Sequence, residues 1–548
     1  MTEPTGMSPE GASGVIVTDY RIGQDNLQPR LGPFSLDIHN PVFVISGVTI
    51  ILFVFFALAL PAQAEAFFGW LRPALTSTFD WFFLIAGNIF VLVVVALMVS
   101  PLGKVRIGGM DATPDYSYSA WFAMLFAAGM GIGLMFFGVA EPVSHYEAAL
   151  AGGGSPDSWA PLAGAAGAEV EARRLAMAAT IFHWGLHPWA IYAIVGLSLA
   201  LFAYNKGLPL SVRSIFYPIF GERIWGWTGH IIDTLAVFAT LFGLATSLGI
   251  GAEQANAGLE FLFGIPVNDV SKVLLITGIT AIAVGSVVAG LDAGVRRLSE
   301  INMVLAALLL LFVIFTGPTL AILTGFFANL GAYAEYLPAL SNPFGREDDN
   351  FRQGWTSFYW AWWISWSPFV GMFIARISRG RTVREFIVSV LLVPSLVSVL
   401  WMTAFGGTAI TMLNEGYQAI ADAALELKLF TMLDPLPLAG ITSFLGIVLV
   451  VVFFVTSSDS GSLVIDTITA GGKVDAPLAQ RVFWAIFEGL VAIALLLGGG
   501  LAALQAAAVS TGLPFALVLL LGCVALVKGL LSEPRTRKAA SGSRAPTG

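Results

Sequence analysis

The sequence is short of charge, cysteine and histidine, and each shortage removes a class of protein. Asp, Glu, Lys and Arg make up 11% of the 548 residues, against 57% hydrophobic residues, and mean hydropathy is +0.82. A soluble domain of this length needs more polar surface, so the chain reads as an all-α polytopic membrane protein. The single cysteine, Cys523, sits in an apolar run and excludes an internal disulfide framework or a cysteine metal cluster. Of the five histidines, His183 and His187 stand four apart. That spacing can bind metal, but without a third ligand nearby in sequence it more often serves packing or hydrogen bonding. Residues 1–40 are polar, rich in Gly and Pro, and lack the apolar core of a signal peptide. They are expected to form a flexible tail ahead of one membrane domain over 41–530, with a short tail at 531–548.

Apolar runs fall at about 42–60, 82–99, 116–140, 175–203, 231–252, 273–291, 303–327, 355–375, 386–411, 438–457, 482–499 and 501–527. They predict twelve transmembrane helices, the boundary at Gly498–Gly500 being the least marked. Shorter amphipathic segments are expected at 329–340 and 416–428. Twelve spans put both ends on one side of the bilayer. Twenty of the 27 Lys and Arg residues then share the side of the termini and seven lie opposite. By the positive-inside rule both termini are cytoplasmic.

Aromatic residues are what the chain has in excess, and they cluster. Trp355–Arg384 holds five of the fifteen tryptophans between Trp355 and Trp366, carries no charge up to Ala375, and ends in four arginines. Ser365–Pro368 lies near its middle, and proline removes a backbone donor. The expectation is a membrane helix broken or kinked there, and broken helices at membrane depth line cavities. Indole faces suit a cation that cannot donate hydrogen bonds, which points to a quaternary ammonium ligand. An interfacial belt is the plainer account of Trp in membrane helices, but Trp360, Trp362, Trp363 and Trp366 are too many for one. In Phe182–Tyr192, Trp189 and Tyr192 share a helix face, and Trp184 precedes Pro188 and can reach that face only if the helix bends there.

Gly129, Gly131 and Gly133 stand at alternate positions in the third run. Glycine can mediate close helix packing, but alternate residues do not share a helix face, so an unwound stretch is the better reading. Interruptions in the third and eighth runs, five spans apart, predict two inverted five-helix repeats, helices 3–7 and 8–12, with the site where they meet. In Phe453–Asp459, Thr456 and Ser457 are adjacent at the end of the tenth run. Such hydroxyls often bond back to their own helix; with unwound carbonyls of the third helix they could instead coordinate sodium. Asp233, Glu253, Asp459 and Glu488 are scattered without nucleophile–base spacing, so an intramembrane enzyme is a remote alternative. They are expected at helix ends or paired in the bundle. A ring-like pore motif, which an ion channel would need, is not evident.

Four stretches together, Ala128–Pro142, His183–Tyr192, Phe358–Phe386 and Phe453–Ser460, resemble the betaine/carnitine/choline transporter family, and the likeness covers roughly residues 35–525. The resemblance implies a LeuT-type core in spans three to twelve, often a trimer, in the bacterial cytoplasmic (inner) membrane. It implies secondary active transport of an onium compound, no catalytic residue and no cofactor other than sodium as the coupling ion. Its aromatic box corresponds to Trp184, Trp189, Tyr192, Trp362, Trp363 and Trp366. Its sodium site corresponds to the hydroxyls of Thr456 and Ser457 with the carbonyls of Ala127, Met130 and Phe453. A second sodium site is matched by Thr240 and Phe369 but not at position 244, which is Leu, although Thr246 lies close by. Proton-coupled choline carriers of the family tend to have an acid at the last of the three glycines. Gly133 stands there, leaving Gly129, Gly131 and Gly133 to offer backbone N–H groups to a substrate carboxylate. This favours a zwitterion such as glycine betaine, with carnitine and dimethylsulfoniopropionate as further candidates. Proton-coupled choline or carnitine uptake and sodium-independent exchange on the same fold are the alternatives. The seventeen residues after Leu531 hold four basic ones, and weak or absent osmotic activation is expected from so short a tail.

Overall fold

Apolar runs of membrane length become helices because a helix satisfies every backbone N–H and C=O internally. The structure, a computed structural model, describes residues 8–32, 34–129, 131–289 and 292–534. The principal helices are α1 (Val42–Ala59), α2 (Pro61–Val99), α3 (Tyr118–Gly129), α4 (Ile132–Ala151), α5 (Glu169–Trp184) and α6 (Leu186–Ala200). They continue with α7 (Trp227–Phe263), α8 (Asp269–Ala289), α9 (Asp292–Thr316), α10 (Thr319–Ser341) and α11 (Ser357–Ile377). The last are α12 (Val383–Asn414), α13 (Ala439–Thr469), α14 (Leu478–Leu497) and α15 (Gly500–Leu531). Among the described residues ten helices are long and apolar enough to cross a membrane, and eleven when the bent pair α3–α4 counts as one span. α11 is not in that set, four Trp and three Ser among its 21 residues lowering its mean hydropathy, but nearly all of it is buried.

Several boundaries differ from the sequence expectation, each for a local reason. The second run belongs to a 39-residue helix that begins with Pro61 at its first turn, where a missing N–H is harmless. The seventh run ends at Thr316, because Pro318 cannot continue the helix, and the expected segment at 329–340 lies in α10. Thr456 and Ser457 are not at a helix end: α13 runs on to Thr469. The last two helices part at Gly499 and Gly500, both at positive φ, as the triple glycine suggests.

The largest correction concerns the eighth run. α11 is neither broken nor interrupted at Ser365–Pro368; it runs through Pro368. Pro368 has no N–H for the Ile364 carbonyl, and the Ser367 hydroxyl donates to that carbonyl at 2.7 Å instead. The irregularity lies earlier, in one π-helical turn at Arg352–Thr356. The third run does break, and its arms are bent by 62°. A second break falls in the fourth run at Gly185, whose φ −100° and ψ −126° separate α5 from α6. Pairing of breaks in runs three and eight therefore no longer points to the inverted repeats.

The acids found in sequence are partnered: Asp233 with Arg213 at 3.1 Å, Glu253 with Lys272 at 2.9 Å, Asp459 with Arg481 at 3.0 Å, and Glu488 with the Ser458 hydroxyl at 2.8 Å. The described part of residues 8–40 runs across helix ends. Tyr20 and His39 are buried there with Arg213, which donates to the Tyr20 hydroxyl and to His39 Nε2, both at 3.0 Å. Burial first, then the charge of Arg213, pushes His39 down to about 3, so it accepts this bond as a neutral ring. Ser13 and Gly14 meet Glu533, which forms a buried ion pair with Lys206 at 2.6 Å. The two described ends of the chain thus lie on one face.

Candidate functional site

The two breaks surround one cavity. Gly131 heads α4 in fully extended backbone, φ −177° and ψ −176°. Unwinding there turns backbone of the third run toward the interior instead of tying it into a helical ladder. At Gly185 the fourth run changes direction, which lets Trp184, at the end of α5, face the same space as Trp189 and Tyr192 in α6. α11 supplies Trp362, Trp363 and Trp366 from one side of a continuous helix. The walls of the cavity include all nine residues singled out for substrate: Gly129, Gly131, Gly133, Trp184, Trp189, Tyr192, Trp362, Trp363 and Trp366. Ser247, Ser398 and Pro188 also line it; no motif marked the two serines, which come from helices whose sequences look like ordinary membrane spans.

The rings are held by their polar edges, leaving faces and rims for the cavity. The indole N–H of Trp362 donates to Ser247 Oγ at 3.0 Å, that of Trp363 to the His183 carbonyl at 2.9 Å, and that of Trp366 to the Gly243 carbonyl at 2.9 Å. Trp362 and Trp363 stack at 4.9 Å, and Trp184 meets Trp363 edge-on at 5.0 Å and 77°. Tyr192 is edge-on to both Trp189, at 5.2 Å, and Trp363, at 6.1 Å. Gly133 is required by these rings: a Cβ there would lie 2.7 Å from Trp184 Cη2 and 2.9 Å from Trp362 Cη2. Gly131 is different, with nothing within 4 Å of an added Cβ. Such a box, uncharged among its described lining residues and walled by π-faces, can desolvate and hold an onium group.

Behind Trp184 is a polar cluster that sequence reading missed. Glu141 is fully buried in α4. Its Oε2 accepts the Trp184 indole N–H at 2.7 Å and the Tyr359 hydroxyl at 2.5 Å. Its Oε1 lies 2.5 Å from His183 Nδ1 and 3.1 Å from His145 Nε2. The available signal was a lone acid in the apolar stretch Ala128–Pro142. Glu141, His145 and His183 bring ligand atoms within 4.8 Å of one another, a donor set able to hold a metal ion. Here the same atoms are joined in direct hydrogen bonds. His187 takes no part: it stacks on Trp360 at 5.2 Å and bonds Asn88 at 3.0 Å, so the four-residue spacing of the histidines is not a ligand pair.

Among the described residues proposed for sodium, none lines this cavity. Met130 is outside the described residues. Ala127 is in the last turn of α3, and Phe453, Thr456 and Ser457 are in the interior of α13. The start of α4 and this part of α13 converge at Gly251, where an added Cβ would lie 3.0 Å from Ile132 and 3.3 Å from Val450. The Thr456 hydroxyl donates to its own helix, to the Val452 carbonyl at 3.0 Å and to Phe453 at 3.3 Å; its lone pairs are not used by these bonds. For the second ion, Thr240 is buried and bonds back to Ala236 at 2.7 Å. Phe369 stands edge-on to Trp366 at 5.4 Å. Leu244 fills the space left by Gly461, where a Cβ would be 2.3 Å from its methyl carbon. Thr246 points away, bonding the Leu504 carbonyl of α15 at 2.9 Å, and so does not replace the missing hydroxyl.

Helices of membrane length packed around an aromatic cavity define a multi-pass membrane protein. The comparisons place it further. A profile described as betaine/carnitine/choline family transporter matches residues 41–535. The chain belongs to that family. It is 67% identical to a glycine betaine/proline/choline transporter of Vibrio parahaemolyticus, over 96% of both chains. A glycine betaine transporter of the same organism is 56% identical, over 94% of this chain and 97% of its own. A Bacillus subtilis glycine betaine transporter is 43% identical, over 85% of this chain and 89% of its own.

Proposed function

We propose that this protein imports glycine betaine, or a related zwitterion with an onium group, by sodium symport with alternating access. The observation that carries the reading is the convergence of six aromatic residues and three glycines on one buried cavity. The indoles would cage the trimethylammonium group, each desolvated cation–π contact contributing about 2 kcal/mol. The carboxylate would face the backbone between Gly129 and Gly133. Sodium at Thr456 and Ser457, with carbonyls of Ala127, Met130 and Phe453, would tie the third run to α13 and favour one orientation. Leu244 supports a single sodium ion, Thr240 and Phe369 being left without a second hydroxyl partner. A membrane potential of 100 mV is worth about 2.3 kcal/mol per charge, or roughly fifty-fold accumulation per ion.

The same reading counts α11 as a span, which makes twelve. It arranges them as two inverted five-helix repeats of LeuT type, helices 3–7 and 8–12, with the termini in the cytoplasm of a bacterial inner membrane and the protein as a trimer. The meeting of the described chain ends on one face and the distribution of Lys and Arg support that orientation. The test is uptake of radiolabelled betaine into proteoliposomes with sodium or potassium outside, for the wild type and Trp366→Leu. Uptake needing both sodium and the indole is expected. Sodium-independent uptake would replace symport by exchange or proton coupling, and no betaine uptake would reopen the substrate.

A further inference from the structure

Most side-chain polar groups on the cavity wall are already engaged. The indole N–H groups of Trp184, Trp362, Trp363 and Trp366 each have a protein acceptor. The Ser247 hydroxyl accepts from Trp362 and donates to the Gly243 carbonyl of its own helix at 3.2 Å. Thr240, Thr246 and Thr456 likewise bond back to carbonyls four residues earlier, the ordinary arrangement of a hydroxyl in a membrane helix. Ser398 departs from it. The residue is 2% exposed and lines the cavity, and its hydroxyl has no hydrogen-bond partner among the described residues. A buried hydroxyl left unpaired costs free energy that a ligand can restore. The Tyr192 hydroxyl is unpaired too, but its ring packs within the cage against Trp189 and Trp363.

Position gives the Ser398 hydroxyl a target. On α12, Pro394, Ser398 and Trp401 follow one another at helical spacing and share a face. Pro394 abuts the start of the unwound stretch, its Cβ 3.1 Å from where a Cβ at Gly129 would lie. Trp401 reaches past the end of that stretch and donates to the Leu134 carbonyl at 3.0 Å. Ser398, between them, therefore stands opposite Gly131–Gly133. The backbone is open there: nothing lies within 4 Å of a Cβ added at Gly131, and no side chain caps the head of α4. First-turn N–H groups have no partner within their own helix and favour an anion. Together with a free hydroxyl across the same opening, they form a donor set for a carboxylate.

We propose that Ser398 is a specificity-determining residue whose hydroxyl donates to the substrate carboxylate held at the head of α4. The inference rests on the reading of the cavity as the site of an onium zwitterion, and it names the side chain that tells such a zwitterion from a plain onium ion. The aromatic cage recognises the cationic end alone, so it holds tetramethylammonium and glycine betaine by the same kind of contact. Only betaine has an acceptor for Ser398.

The test uses the full-length protein in proteoliposomes at constant sodium, with binding of betaine and of tetramethylammonium followed by tryptophan fluorescence. Ser398→Ala removes a hydroxyl that no protein group uses, so the melting temperature stays where it is. The ratio of the betaine Kd to the tetramethylammonium Kd rises about tenfold, the effect of one hydrogen bond to a charged group. A ratio that changes less than about threefold, as a packing role weakening both ligands alike would give, overturns the proposal and leaves the onium reading standing. If the wild type holds betaine but not tetramethylammonium, Ser398→Thr decides, because it keeps the hydroxyl. Its betaine Kd then stays within about threefold of the wild type while that of Ser398→Ala rises about tenfold, and equal values in the two variants overturn the proposal. A wild type that binds tetramethylammonium but not betaine overturns the zwitterion reading together with this inference. One that binds neither overturns the onium reading beneath both.

Discussion

Gly129–Gly133 and Ser365–Pro368 carry the two strongest helix-breaking signals in apolar runs, and only the first breaks its helix. Proline removes one donor and leaves one carbonyl in want of a partner, a debt local chemistry can meet. The Ser367 hydroxyl sits one residue away and bonds the Ile364 carbonyl at 2.7 Å. Alternate glycines remove no donor at all; they withdraw the side-chain packing that would hold a helical path together. What replaces it is tertiary. Trp184 and Trp362 occupy the room a side chain at 133 would take, and the backbone is turned toward the cavity. A missing hydrogen bond is repaired within a turn, whereas a missing side chain is an opening for residues far along the chain.

The comparison can be tested by putting back what each stretch lacks. Gly133→Ala drives a methyl into two indole rims, and overpacking of about 1–3 kcal/mol weakens betaine binding by up to about a hundredfold; equilibrium binding measures it. Unaltered affinity would show that the rings are not held against this backbone. Trp366→Leu leaves the backbone of α11 intact and removes one cage face, worth about 2 kcal/mol, so affinity falls about thirtyfold with melting temperature nearly unchanged. Ser367→Ala strands the Ile364 carbonyl and destabilises by about 1 kcal/mol. In a Pro368→Ala background, where the N–H returns, the same change costs little. A double-mutant cycle on thermal stability reads the coupling, and equal costs in both backgrounds would mean the hydroxyl is not the repair. Gly131→Ala, with open space around its Cβ and φ in the extended region, changes stability by less than about 0.5 kcal/mol.

The cavity was legible where chemistry is written locally. Clustered indoles, Trp184 beside a bend, and glycines off one helix face each mark a departure from an ordinary membrane span within a dozen residues. All nine residues so marked line the same space. A bend was implied by the need to bring Trp184 onto the face of Trp189, but it was expected at Pro188 and falls at Gly185, with Pro188 in the first turn of α6. The break expected at Pro368 does not occur, for a reason also present in sequence, since a serine directly before proline can reach the carbonyl that proline forsakes. Thr456 and Ser457 were misplaced at a helix end because the acid Asp459 interrupts the apolar run; paired with Arg481, it lets α13 continue.

By itself the sequence determined that this is a membrane protein of many spans, which residues are aromatic enough to cage an onium group, and where the third run must open. Those properties follow from composition and from neighbours a few residues apart. Only the tertiary structure decided what stands behind the cage. Glu141 meets His183 and Trp184 across 42 and 43 residues and Tyr359 across 218. No periodicity connects them, because the partners of a buried carboxylate are set by which helices pack together and not by the spacing along any one of them.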